Sequence, residues 1–92
     1  MLTGSQLRGA RGLLNLSVSE LAERTGLAVN TIRRAEGTNG PAPITLANMK
    51  LLLATFEEAG VLFIQPDQLG PGVRLKSAEP LPMQMRRRDT NR

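Results

Sequence analysis

The chain has no cysteine, no histidine, no tryptophan and no tyrosine, and only two phenylalanines in 92 residues. Without cysteine there is no disulfide framework and no thiolate nucleophile. Without histidine as well, the usual zinc sites and the Ser/His and Cys/His catalytic pairs are excluded. Two Phe make no aromatic platform of the kind that stacks single-stranded bases, whereas recognition of a duplex needs none. No apolar run is long enough to span a bilayer, and the basic flank and apolar stretch of a signal peptide are missing, so a cytoplasmic protein is expected. The spacing of Gly9 and Gly12 is no phosphate loop, because neither Lys-Ser nor Lys-Thr follows and no strand precedes it. Glu57, Glu58 and Asp67 have no partner in a paired-carboxylate or metal pattern. The expectation is no enzyme, no cofactor and no metal.

Twelve Lys and Arg stand against eight Asp and Glu, a formal charge of +4, and 40% of residues are hydrophobic. A chain this short builds one small domain and buries about 60% of its unfolded surface, so oligomerisation would help it.

Thr3 with Gln6 is a capping box, and Leu7, Ala10, Leu13 and Leu14 follow at helical spacing, which predicts a helix over about Gly4 to Leu14. Gly9 and Gly12 inside it cost about 0.5–1 kcal/mol each relative to Ala, so a close helix crossing is expected there. Ser17 with Glu20 repeats the box before Val18, Leu21 and Ala22, and Gly26 ends the second helix as a left-handed cap. Leu27 and Ile32 have staple spacing about an N-cap at Ala28, and the third helix carries Val29 to Glu36 up to Gly37. After the turn-forming stretch Thr38 to Pro43, Thr45 caps a fourth helix with Leu46, Met49, Leu52, Leu53 and Phe56 as core residues and Gly60 past its end.

From Val61 the period changes. Val61-Leu62-Phe63-Ile64, a Gly/Pro loop and the alternating Val73-Arg74-Leu75-Lys76 predict a β-hairpin. A lone two-stranded hairpin is barely stable, and its simplest partner is the same hairpin in a second copy, with Val61, Phe63, Val73 and Leu75 at the interface. Beyond it, Arg86, Arg87, Arg88 and Arg92 against Glu79 and Asp89 leave +2 on a Pro-containing, apolar-poor segment expected to be disordered. The predicted fold is mainly α: a compact helix-turn-helix bundle of four to five helices over 1–60, the hairpin over 61–76 and a basic tail over 77–92.

Two short helices joined at Gly26, with a small Ala22 where they cross and Ile32 anchoring the second, form a helix-turn-helix pattern. Ser17-Val18-Ser19-Glu20-Leu21-Ala22-Glu23-Arg24-Thr25-Gly26-Leu27-Ala28-Val29-Asn30-Thr31-Ile32-Arg33-Arg34-Ala35-Glu36-Gly37 resembles the Cro/phage-repressor-type, or Xre, family of bacterial regulators. With the flanking Leu7-Arg8-Gly9-Ala10-Arg11 and the fourth helix, the likeness runs from Leu7 to about Gly60. It implies that the third helix enters the major groove of double-stranded DNA, with Val29, Asn30, Arg33 and Arg34 at base edges. It further implies phosphate contacts from Ser17, Ser19, Thr31, Thr38 and Asn39, and an internal salt bridge between Arg11 and Glu36. Val18 stands where the family often has Gln, Ala28 where it has a hydroxyl N-cap worth about 1 kcal/mol, and Thr25 where an apolar residue is usual.

The function so implied is a dimeric repressor or autoregulator on a pseudo-palindromic operator, nucleoid-associated in the cytoplasm. The alternative is an interaction module, such as an antitoxin or anti-activator, with the helices as scaffold and the basic tail or hairpin on a protein partner.

Overall fold

Backbone donors left over at each helix start decide where the chain turns. In a computed structural model that describes residues 2–77, Thr3 and Gln6 cap each other reciprocally at 3.0 Å, and α1 runs Gly4–Leu13. Ser17 and Glu20 do the same ahead of α2, Val18–Thr25. Gly26 ends α2 at φ +79, a left-handed conformation that costs glycine nothing, and its N–H donates to Ala22 O at 2.8 Å. α3, Val29–Glu36, follows Ala28, which makes no side-chain cap bond. Thr45 caps α4, Leu46–Glu58, by accepting from Asn48 N at 3.1 Å. Asn15, at φ +56, turns the chain out of α1, a role the sequence reading missed and that Asn tolerates better than other side chains. Four helices are thus present among the described residues, and the fold is mainly α. The expected disordered tail lies outside the described residues, apart from Ser77.

β1, Val61–Ile64, pairs antiparallel with β2, Gly72–Leu75, in the register Val61 to Leu75 and Ile64 to Gly72. The second strand sits one residue earlier than predicted. Lys76 still donates its N–H to Gly60 O at 2.8 Å, but its side chain turns away to reach the carbonyl of Glu57 at the end of α4, at 3.1 Å. That contact adds a second donor to a carbonyl that already accepts from Gly60 N at 3.1 Å.

A single core takes residues from every helix and from the hairpin: Leu7, Leu14, Leu21, Ile32, Leu52, Phe56 and Val61 are each no more than 1% exposed. The four hairpin residues expected at a dimer interface face this core instead. Val61 is fully buried, the Phe63 ring meets Phe56 edge-on at 5.9 Å, and Val73 and Leu75 pack beside them. The hairpin therefore packs on the chain's own α1 and α4. Gln6, 3% exposed, ties the two parts together by donating through Nε2 to Ile64 O and Gly72 O, both at 3.1 Å.

Two further expectations are corrected. Leu46, read as core, is 63% exposed because it opens α4, a turn and a half ahead of buried Leu52. Gly9 is small because of the sheet, not a helix crossing: a Cβ there would lie 3.0 Å from Val73 Cγ2, while one at Gly12 would meet nothing within 4 Å.

Candidate nucleic-acid interface

α3 divides cleanly into two faces. Ile32, Ala35 and Glu36 are buried, and the helix is held against α1 and α2. At 3.6 residues per turn the opposite side then carries Asn30, Arg33 and Arg34, all exposed, with Val29 and Thr31 half-buried at its margins. Asn30 and Arg34 are one turn apart and so adjacent on the surface. All five residues expected on this helix thus share or flank one outward face. Arg33 and Arg34 also lie in the last turn, where cations suit the helix dipole.

The turn feeding α3 is fixed by a threonine side chain. Thr25 Oγ1 donates to Leu21 O at 2.9 Å and accepts from Leu27 N at 3.2 Å, so its hydroxyl joins the end of α2 to the turn. An apolar side chain has no means of doing this.

Arg11 and Glu36 pair as expected. Arg11 Nε and Nη2 each meet a carboxylate oxygen of Glu36 at 2.9 Å, a fork that no lysine reproduces. Arg11 Nη1 also donates to Leu16 O at 3.0 Å, so one side chain ties α1 to α3 and to the α1–α2 connection. The hydrogen bond to Glu36, and after it the nearby negative charge, outweigh partial burial and raise the Arg11 pKa above the ordinary guanidinium value.

The expected phosphate contacts are spread over three elements. Ser17 and Ser19 stand exposed at the start of α2, where the Ser17 oxygen already accepts from Glu20 N. Thr31 borders a shallow groove with Arg34, Pro43, Ile44, Thr45 and Asn48, between α3 and the start of α4. Thr38 and Asn39 lie just past α3 in a loop where Gly40 N donates to Thr38 Oγ1 at 3.1 Å.

No protein-family model matches the chain. The site therefore rests on its own geometry, and two features of that geometry went unread in the sequence. Gly4 sits so tightly under the loop that a Cβ would fall 2.0 Å from Thr38 O and 2.8 Å from Ala35 O. Its N–H donates to Gly40 O at 3.0 Å, and Ala42 N to Leu2 O at 2.9 Å, so the first residues run beside 40–42 as a short antiparallel pair. Arg8 donates to the carbonyls of Glu36 and Thr38 and to Asn39 Oδ1. Neither residue has a local sequence signal, since both act on segments some thirty positions away. Among the described residues no group of acidic side chains is placed to hold a metal ion, and no helix is long and apolar enough to cross a membrane.

Proposed function

We propose that the chain is a sequence-specific regulator of transcription that binds double-stranded DNA as a homodimer, with α2 and α3 as its helix-turn-helix. The observation that carries this reading is the outward face of α3, where an amide and two guanidinium groups project from a helix locked by Ile32, Ala35 and the Arg11–Glu36 pair. A rigid helix of this width fits the major groove. Asn pairs adenine and Arg pairs guanine there, both bidentately, while Val29 suits a thymine methyl. Thr31, Thr38 and Asn39 border this face and suit the flanking phosphates, as do the hydroxyls of Ser17 and Ser19 on α2.

Dimerisation falls to the surface the core leaves over. Among the described residues the hairpin has no third strand on either edge, and Leu62 and Ile64 on its outer side are 44% and 38% exposed, so a second copy has apolar contacts and strand edges to use. The same exposure favours a second reading, in which a different protein takes the hairpin and α3 is scaffold.

Selection from a random double-stranded oligonucleotide pool at about 150 mM salt tests the proposal, because charge alone binds weakly there. Enrichment of a pseudo-palindrome with half-site centres about 34 Å apart is expected. Binding without enrichment that vanishes as salt rises would overturn it in favour of the protein-partner reading.

A further inference from the structure

Arg8 is exposed, yet both of its Nη atoms donate to the chain itself. Nη1 donates to the carbonyls of Glu36 and Thr38, which end α3 and begin the loop after it, and Nη2 donates to Asn39 Oδ1 at 2.5 Å. A guanidinium has no acceptor, so the atom of Asn39 that faces it must be the carboxamide oxygen. The orientation of that amide is thereby settled by chemistry: its amino group points the other way, on an exposed residue, with two N–H donors for which no acceptor is found among the described residues. The backbone beneath is also fixed. Ser5 Oγ donates to Asn39 O at 3.2 Å, Gly4 N holds Gly40 O at 3.0 Å, and Gly4 leaves no room for the loop to settle lower.

We infer that Arg8 is a positioning residue, which holds the Asn39 carboxamide with its amino group outward to donate to a phosphate oxygen of the bound duplex. This rests on the DNA-binding reading and assigns Arg8 a role through Asn39, not a phosphate of its own. A lysine has the charge but not the planar fork that reaches two carbonyls and an amide oxygen together.

The test is a double-mutant cycle on the selected duplex, with binding measured across a salt series and melting temperature as the control for folding. Arg8→Ala, Arg8→Lys and Asn39→Ala are each expected to weaken binding about fivefold, and the Arg8→Ala/Asn39→Ala double variant no further than either single change. The slope of log affinity against log salt is expected to stay the same in all of them, since counterions are released where a cation neutralises a phosphate and the inference gives Arg8 no phosphate contact. A slope reduced by about 0.9 in Arg8→Ala would mean that Arg8 itself neutralises a phosphate, and that result, additive losses, or full binding by Arg8→Lys would overturn the inference. A second measurement needs neither DNA nor the alanine variant. In the free protein, the side-chain amide signals of Asn39 in a ¹⁵N NMR spectrum are expected to move on Arg8→Lys, and unmoved signals overturn the lock. If the wild-type protein selects no duplex, the DNA-binding reading fails, and a lock seen by NMR then stands without its phosphate role.

Discussion

Single residues in this protein can be sorted by what lies beside them. Gly12 and Gly4 occupy the same helix with opposite consequences. Space is open at Gly12, so Gly12→Ala should raise stability by about 0.5–1 kcal/mol through lost unfolded-state freedom. Gly4→Ala drives a methyl into two backbone carbonyls and should cost about 3 kcal/mol or more. Urea midpoints at constant m-value separate the two, and equal shifts of either sign would show that the packing of α1 against the 38–40 loop is misread. On α3, Asn30→Ala and Arg34→Ala are expected to remove about 1–3 kcal/mol of discrimination between cognate and altered duplexes, with stability within about 0.5 kcal/mol of wild type. Loss of discrimination at distinct base pairs for the two variants is the outcome that ties each side chain to its own edge.

Elements are joined by a few polar side chains whose loss is costlier than their exposure suggests. Arg11→Ala leaves the buried Glu36 carboxylate without its partner, and about 3–5 kcal/mol of stability should go with it, read as a large drop in melting temperature. Because the Arg11 pKa is raised on folding, its contribution is present at every pH below the ordinary guanidinium value and is lost only as pH climbs through the raised one. The melting temperature should therefore show no step from this group up to about pH 10. The helix boundaries were legible because they depend on neighbours: Thr3 with Gln6, Ser17 with Glu20, Gly26 and Thr45 each act within four residues. The outward residues of α3, Asn30 and Arg34 among them, were expected from the resemblance, and they lie opposite buried Ile32 and Ala35 as a helical period requires. What the hairpin packs on was not. Alternation in Val61, Phe63, Val73 and Leu75 marks a buried face but says nothing of what buries it, and the answer lies in α4 and in α1, the latter some sixty positions back. Arg8 and Gly4 were hidden by the same distance.

At the scale of the whole molecule, the correction to the hairpin changes how an interface is to be tested. Deleting Val73 to Lys76 would take Val73 and Leu75 from beside the core and unfold the protomer, so a loss of dimer from that deletion carries no information. Leu62→Lys with Ile64→Lys instead places charge on the outer side alone, and sedimentation should report a monomer with near-wild-type melting and weaker operator binding. A dimer that persists in that variant assigns the interface elsewhere. Removing residues 78–92 should flatten the salt dependence of DNA affinity, since it takes away Arg86, Arg87, Arg88 and Arg92, and an unchanged slope would put those arginines off the DNA.

The bonds from Gln6 to Ile64 and Gly72 also set a schedule. They close loops of 58 and 66 residues, nearly the whole described chain, and Val61 must arrive before Leu7 and Phe56 share a finished core. Contacts of such separation are entropically late. A nascent chain cut short before Gly72 therefore holds α1, α2 and α3 with the Arg11–Glu36 pair between them, but lacks the strand that completes the core beside α1. Such a shortened chain is expected to melt well below the full one, because the core is left open where Val73 and Leu75 would close it.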